Sequence, residues 1–380
     1  MTYLDYNATT PVDPAVLDAM LPFFREHFGN PASRTHVYGW QAADAVAQAR
    51  DQLARLLGVS EKEIVFTSGA TESVNLALKG AFEARRSAGG HIITVETEHK
   101  AVLDTCDHLL RLGADVTYIT PHADGLVDPE QIEAALRPDT LLISVMVANN
   151  ETGVVQPINA LAQLAQERGI LFHTDATQAV GKLPLNLSDG LIDMLSLSGH
   201  KLYGPKGVGA LVARKHVKLT AQQDGGRHER GRRSGTLNVP GIVGLGKAAE
   251  LCQQQLMTEA LRQSALRDRL EQGILSRVPG TAVNGNTTHR LPNTTNIRFA
   301  HVDGERLLDS LHELAASNGS ACTSATTEPS YVLKAMGLSD ELAYASVRFS
   351  LGRFTTDAEI DRAIQHVADT VSQLRGQYQT

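Results

Sequence analysis

Cysteine is scarce in this chain. Three residues, Cys106, Cys252 and Cys322, are scattered through 380 positions with no metal-type spacing. Such an odd set excludes a disulfide framework and a cysteine-built zinc site, and it points to a reducing, cytoplasmic setting. Long apolar runs are also missing. The longest, residues 141–148, is strand-sized, far below the ~18 residues that suggest a membrane span. The opening Met1-Thr-Tyr-Leu-Asp5 lacks the basic and apolar regions of a signal peptide. No basic excess exists either. Acidic residues number 42 against 35 lysines and arginines, a net charge of −7. Without a broad positive field, neither a membrane nor direct nucleic-acid binding is expected. No repeat or low-complexity tail is present.

What remains is a globular composition, 42% hydrophobic, enough for one large or two moderate domains. Pro14 is expected to open a helix with Val16, Met20, Phe23 and Phe24 on one face. A second amphipathic helix spans 40–57, with Val46, Leu53, Leu56 and Leu57 inward, and Gly58 ends it. From position 63 strands and helices alternate. The strands are 64–67, 92–95, 116–119, 141–147, 170–174, 194–197 and 208–212. The helices are 72–84, 101–112, 129–136 and 158–168. Strands as continuously apolar as 141–147 imply a sheet covered on both faces. The expected fold is therefore α/β, a mostly parallel seven-stranded sheet flanked by helices, with a smaller α+β domain. The large domain is assigned to 13–258 and the small one to 1–12 and 259–380. The division falls within a long helical stretch, 239–276. The small domain is expected to hold strands at 295–299 and 345–349, helices at 305–312 and 331–336, and a final helix after Thr356.

In such sheets ligands gather at the carboxyl ends of the strands. Polar groups collect there: Ser68 to Thr71, Glu98 and His99, Asn149 to Glu151, Asp175, and Ser198 to Lys201. Lys201 lies just past a buried strand, where desolvation turns a lysine into a nucleophilic amine. Ser68 to Thr71 join a strand to a helix, so the first helical N–H groups and two hydroxyls form an anion site. Ser198 and His200 add donors. The Gly204-Pro-Lys-Gly-Val-Gly209 turn is not a nucleotide loop, because a strand follows it. A lysine, an acid (Asp175) and a phosphate cradle together meet the needs of pyridoxal 5'-phosphate. That cofactor requires an amine for its aldehyde and an acid at its pyridine nitrogen. His99 offers a ring that could stack on it, although a lone histidine is more often structural.

The motifs carrying these residues have a wider resemblance. Asp5-Tyr-Asn-Ala-Thr-Thr-Pro, Phe28-Gly-Asn-Pro-Ala-Ser, Phe66-Thr-Ser-Gly-Ala-Thr-Glu-Ser, Thr97-Glu-His-Lys, Asn149-Asn-Glu, His173-Thr-Asp-Ala-Thr-Gln, Ser198-Gly-His-Lys, Arg233-Ser-Gly-Thr, Gly319-Ser-Ala-Cys-Thr-Ser and Arg348-Phe-Ser resemble cysteine desulfurases of the NifS/IscS type. These have the type I pyridoxal-phosphate-dependent transferase fold and belong with the class V aminotransferases. The resemblance implies that Lys201 bonds the cofactor and then moves protons at the substrate Cα. It implies that Asp175 partners the pyridine nitrogen, Gln178 donates to the ring hydroxyl, and His99 stacks and assists in acid–base steps. Ala70, Thr71, Ser198 and His200 match the phosphate-binding set, and Thr236 matches a contact supplied by the other subunit of a homodimer. Asn150 matches a residue touching cofactor and substrate. Arg348 is similar to the arginine that receives the substrate carboxylate, for which a guanidinium fork is suited.

Cys322 resembles the nucleophile. Its neighbours, Ser317-Asn-Gly-Ser-Ala-Cys-Thr-Ser-Ala-Thr-Thr327, are small and polar, cannot pack a core and suit a mobile loop. Cys106 instead shares a helical face with Val102 and Leu109, and Cys252 sits in a helical stretch, so both are expected to be buried and inert. The implied reaction takes L-cysteine to L-alanine, leaving a persulfide on Cys322 for a sulfur-acceptor protein. That acceptor is a scaffold for iron–sulfur cluster assembly or a thiolation carrier. Two other readings share these residues: a selenocysteine lyase or other β-lyase, and a sulfur-transfer complex component with weak activity alone. The basic run 227–233 supports the last. The segment 311–318 is short for the family and its strand before the cysteine is weak.

Overall fold

The structure, a computed structural model, describes residues 1–85, 90–318 and 328–376. Its strands are β1 (Thr2–Tyr3), β2 (Ile64–Thr67), β3 (His91–Val95), β4 (Asp115–Ile119), β5 (Thr140–Ser144), β6 (Leu171–Asp175), β7 (Met194–Ser198), β8 (Gly209–Ala213), β9 (Thr281–Val283), β10 (Thr294–Phe299), β11 (Leu314–Ala315) and β12 (Ser346–Ser350). Seven of them form one sheet in the order β2-β8-β7-β6-β5-β3-β4. Only β8 runs against the rest. This is the expected mostly parallel sheet. Six strands bring their carboxyl ends to one rim, and the reversed β8 brings its first residues there.

Continuous apolar strands supply both faces. Leu142, Leu171 and Met194 join the core beneath the helices Ala70–Arg85 and Lys100–Arg111. Their successors Ile143, Phe172 and Leu195 join the opposite core, with the helices Val37–Leu57 and Ile158–Glu167. Adjacent residues point to opposite faces, so a strand buried on both sides has no polar alternation. A further core around the antiparallel sheet β12-β10-β9 gathers Leu4, Phe299, Val347, Phe349 and Ile360. The long helix Val239–Arg277 serves two of these cores, through Ile242 and Leu245 early and Leu266 and Leu270 late. The weak strand before Cys322 is β11, which pairs in parallel with β1.

Gly58 ends its helix as expected, in the left-handed region at φ 66° with its N–H on Ala54 O. The first helix departs from expectation. It stops at Met20, and Pro22 opens a separate short turn, Pro22–Arg25. Val16 and Met20 are buried, but Phe24 is 61% exposed. Proline lacks an N–H and its ring collides with the carbonyl four residues back, so the apolar face cannot continue. Leu56 is only partly buried at the edge of the core. The fifth strand ends at Ser144 rather than 147, because the Met146 N–H turns to the Glu98 carboxylate at 2.6 Å.

The outer edge of β2 is sealed by side chains. Glu229 accepts from the Phe66 N–H at 2.9 Å, and Arg50 donates to Ile64 O at 2.7 Å. Arg50 and Glu229 then pair at 2.6 and 3.0 Å, with side chains 9% and 2% exposed. Glu229 holds this position at φ 47°, a strained backbone for a residue with a side chain. An open strand edge invites pairing with another chain, and here its polar groups are already used.

His173 in β6 lies wholly inside the sheet. Its Nδ1 meets Ser144 Oγ and its Nε2 meets Ser196 Oγ, each at 2.9 Å, so it bridges β5, β6 and β7. Burial pushes its pKa down to about 4, against a smaller upward pull from Asp175.

Two outcomes are expected. Glu229→Ala leaves Arg50 buried without its partner and should cost about 3–5 kcal/mol, measured as a lower urea midpoint; an unchanged midpoint refutes the seal. His173 titrates lower in the folded than in the unfolded chain, which has a pKa of about 6.5. The unfolded state then binds more protons in between, so stability is full above that value and declines as pH falls toward the folded value. His173→Gln should flatten the fall by up to about 1.4 kcal/mol per pH unit. Denaturant titrations from neutral to mildly acidic pH measure this, and parallel curves for the two proteins exclude it.

Candidate functional site

The loop after β7 sets the site. Ser198 is followed by a single 3-10 turn, Gly199–Lys201. The Leu202 and Gly204 N–H groups both return to Gly199 O, which closes the loop with Tyr203 at φ 64°. Lys201 is thereby held at the rim, where its Nζ donates to Asn7 O and Ala8 O, both at 2.6 Å. It lines a cavity of about 590 Å³ with groups from every neighbouring strand end. Ala70 and Thr71 follow β2, His99 follows β3, Asn150 follows β5, Asp175 and Gln178 come from β6, and Ser198 and His200 precede Lys201. Arg348 enters from β12. Of the twelve residues expected at the site, eleven lie on described segments; ten of those, Lys201 among them, line this cavity, and Thr236 does not.

One end of the cavity is built for an anion. The helix Ala70–Arg85 directs its first N–H groups there, and Ser198, His200 and Lys206 stand opposite. Gly209 permits this closeness, since a Cβ at that position would lie 2.6 Å from Gly69 Cα. His200 Nδ1 meets Thr9 Oγ1 at 3.0 Å. Burial, then Lys201, Lys206 and Lys182, pushes its pKa down to about 4, so at neutral pH it is an uncharged hydrogen-bonding group.

The other end holds Asp175, which is buried, with Oδ1 accepting from the Thr177 N–H at 2.9 Å. Gln178 Nε2 donates to Asn7 O at 2.9 Å. His99 caps the helix Lys100–Arg111, Nδ1 accepting from the Ala101 N–H at 3.1 Å, which assigns the proton of the neutral ring to Nε2. The carboxyl of Glu98 beside it is fully buried and held by burial well above the usual carboxylate range, against a lowering by the Met146 N–H. Glu151 is raised too, chiefly by burial and in spite of Ser330, Arg348 and His99.

Arg348 donates to Asn150 O at 2.9 Å and to Asp5 Oδ1 at 2.6 Å. Among the described residues, Asn150 Oδ1, Thr177 Oγ1 and Arg348 Nε are buried without a partner, and all belong to residues lining the cavity. Buried polar atoms are seldom left so, and these call for a polar guest. Pyridoxal phosphate fits the donor set. The helix N-terminus with Ser198, His200 and Lys206 suits its phosphate, Asp175 its pyridine nitrogen, the Gln178 amide its hydroxyl and Lys201 its aldehyde.

Thr236 is exposed, on the stretch after Arg233, whose guanidinium bonds Glu72 at 2.8 Å. Cys322 lies outside the described residues. The positions flanking it are tied to the site. Ser317 and Arg348 exchange backbone hydrogen bonds, at 3.4 and 2.6 Å. Ser330 Oγ donates to Glu151 at 2.5 Å, and Tyr331 Oη donates to Glu98 O at 2.7 Å. Cys106 and Cys252 are buried, and desolvation pushes both thiols up to about 12, which makes them poor nucleophiles.

The sequence reading gave no role to Asn7, Lys206 or Lys182. Asn7 stood in a recognised motif with no chemistry attached, and Lys206 in a turn examined only as a nucleotide loop. Among the described residues, no group of three metal-capable side chains is found, and no helix is long and apolar enough to cross a membrane.

Known proteins match this architecture. Residues 2–363 match the family model "Aminotransferase class-V". A cysteine desulfurase IscS of Anaeromyxobacter dehalogenans is 54% identical over 375 residues, 98% of this chain and 93% of that protein. The IscS of an Escherichia coli O139:H28 strain is 54% identical over 377 residues, with the same coverage of 98% and 93%. A solved NifS-like protein superposes with a TM-score of 0.92 at 38% identity, covering 98% of this chain and 100% of its own. A structure of SspA in complex with cysteine gives 0.84 at 41% identity, covering 94% and 100%. With the family matched nearly end to end and the cavity fitted to its cofactor, the chain belongs to the class V aminotransferases and is a pyridoxal-phosphate-dependent cysteine desulfurase.

Proposed function

We propose that the chain draws sulfur from L-cysteine as a persulfide on Cys322 and passes it to an acceptor protein, acting as a cytoplasmic homodimer. The acceptor is a cluster scaffold or a thiolation carrier. The observation that supports the Cys322 step is the tethering of its described flanks close to the cavity, through Ser317 on the lining residue Arg348, and through Ser330 and Tyr331 on Glu151 and Glu98, the chain neighbours of the lining residues Asn150 and His99.

In this reading the bound cofactor supplies an electron sink for charge developing on the substrate. Lys201 would hold the cofactor through its aldehyde and would be the amine that moves protons at the substrate Cα. Asp175 would hold the pyridine nitrogen and Gln178 the ring hydroxyl. His99 would stack on the ring and assist proton transfer. Ala70, Thr71, Ser198 and His200 would hold the phosphate. Asn150 contacts cofactor and substrate, and Arg348 receives the substrate carboxylate. The Cys322 thiolate attacks the substrate sulfur. A sulfur–sulfur bond forms as the carbon–sulfur bond breaks, its electron pair stays with carbon, and protonation of that carbon gives alanine.

Two features support the homodimer. Thr236 is exposed on its own chain, as a residue serving a neighbour's phosphate site would be. The stretch 17–40 exposes Leu21, Phe24, Phe28, Tyr38 and Trp40 at 44–66%, an apolar display suited to a second copy.

Cys322→Ala should retain the visible absorbance of the lysine-bound cofactor yet lose at least about 100-fold in sulfide release. Mass spectrometry of the unaltered protein after cysteine should show one added sulfur on Cys322. Undiminished release from the variant would falsify the assignment. Lys201→Ala should lose the covalent band, and its persistence would rule out Lys201. In sedimentation, the chain should run at twice its mass, and Phe24→Asp with Phe28→Asp should move it toward the monomer; a fully active monomer would exclude the shared site.

A further inference from the structure

One amine beside the cavity has no part in the chemistry above. Lys182 lies four residues beyond Gln178, on the turn that follows β6. Its Nζ donates to Gln178 Oε1 at 2.8 Å and to Asn7 Oδ1 at 3.2 Å. Burial, followed by Lys201 and Arg348, pushes its pKa down to about 7. Charged or neutral, an amine keeps at least two N–H donors, so both amide oxygens must face it.

Each amide is then fixed at its other end. With Oε1 of Gln178 turned to Lys182, Nε2 is left to donate elsewhere, and it does so to Asn7 O at 2.9 Å. That same carbonyl receives Lys201 at 2.6 Å. With Oδ1 of Asn7 turned to Lys182, Nδ2 donates to Asn150 O at 3.2 Å and to Thr294 Oγ1 at 2.9 Å. Lys182 shares this task at Asn7, whose Oδ1 also receives Asn293 Nδ2 at 3.2 Å; at Gln178 its loss takes away the donor facing Oε1 and leaves the amide held only through Nε2 on Asn7 O.

We propose that Lys182 is a positioning residue for the cofactor. Its Nζ holds the Gln178 amide with Oε1 toward Lys182 and Nε2 toward the Asn7 carbonyl that Lys201 meets, and it braces the Asn7 amide together with Asn293. The inference rests on the roles of Lys201 and Gln178 given above. It adds a residue that touches neither cofactor nor substrate and acts through two that line the cavity.

The test uses the full-length protein stripped of cofactor and reconstituted with pyridoxal phosphate. Three quantities are read: the cofactor dissociation constant, the visible circular dichroism of the bound cofactor, and the melting temperature of the cofactor-free protein. Lys182→Met removes the donors and should weaken cofactor binding at least about tenfold, the effect of a buried polar group losing its partner. Its visible dichroism should also change. Lys182→Arg keeps donors and should stay within about threefold of the unaltered protein. A folded Lys182→Met protein with unaltered affinity and dichroism overturns the proposal, as does equal loss in both variants. A fall in melting temperature alone also overturns it, because that is all a purely structural lysine would give. If Lys182→Met does not fold, Lys182→Leu, which also lacks donors, is measured in its place, with the same expected weakening and the same overturning result. Failure of the unaltered protein to form the lysine-bound band would instead reject the reading of Lys201.

Discussion

Asn7 is the buried joint on which the site depends. It is 1% exposed, and every polar atom it carries is used. Its N–H donates to Ser350 Oγ, its carbonyl receives Gln178 and Lys201, its side-chain oxygen receives Lys182 and Asn293, and its amide nitrogen reaches Asn150 and Thr294. A buried polar residue is tolerated only when its partners are in place, and then it admits one arrangement. The segment around it extends the constraint. Leu4 O receives the Ser350 N–H from β12, and the Thr10 N–H reaches His200 O beside β7. The strand carrying Arg348 and the loop carrying Lys201 are therefore registered by the same few residues of the N-terminal segment.

Burial also decides which groups around the cavity are charged. The Glu98 carboxyl is raised, His173 and His200 are uncharged at neutral pH, and the thiols of Cys106 and Cys252 keep their protons. Desolvation is the largest cause in each case, because each lies where an ion would lose its water, and neighbouring charges add to it at His200 and Cys106. Charge is left where it meets a partner or faces the cavity, as at Arg348 with Asp5 and at Lys206. A guest bearing phosphate and carboxylate then meets cations with little competing background.

Much of this was legible in the sequence, for particular reasons. The strands could be found because burial on both faces leaves an unbroken apolar run, as in Leu141 to Ile143. Lys201, Asp175 and His99 could be found because each lies at or within four residues of the carboxyl end of such a run. Gly58 announced a helix end through its backbone freedom. Other features left no local trace. The partners of Asn7 lie 143 and 175 residues away, and no periodicity encodes such bonds. Phe24 was misplaced because apolar spacing was weighed above the break that Pro22 imposes. The ion pair of Arg348 with Asp5 joins two motifs that were each recognised, yet nothing in either indicates the other.

The sealed edge of β2 has a kinetic meaning. Glu229 and Arg50 occupy hydrogen-bonding positions that a foreign strand would otherwise fill. Local opening of the stretch around Glu229 therefore exposes a seven-stranded template and an unpaired buried arginine in the same event. The species populated on the way to unfolding is then sticky long before the core is lost. For such an edge, resistance to heat is a matter of how often that one loop opens as well as of the equilibrium stability of the sheet behind it.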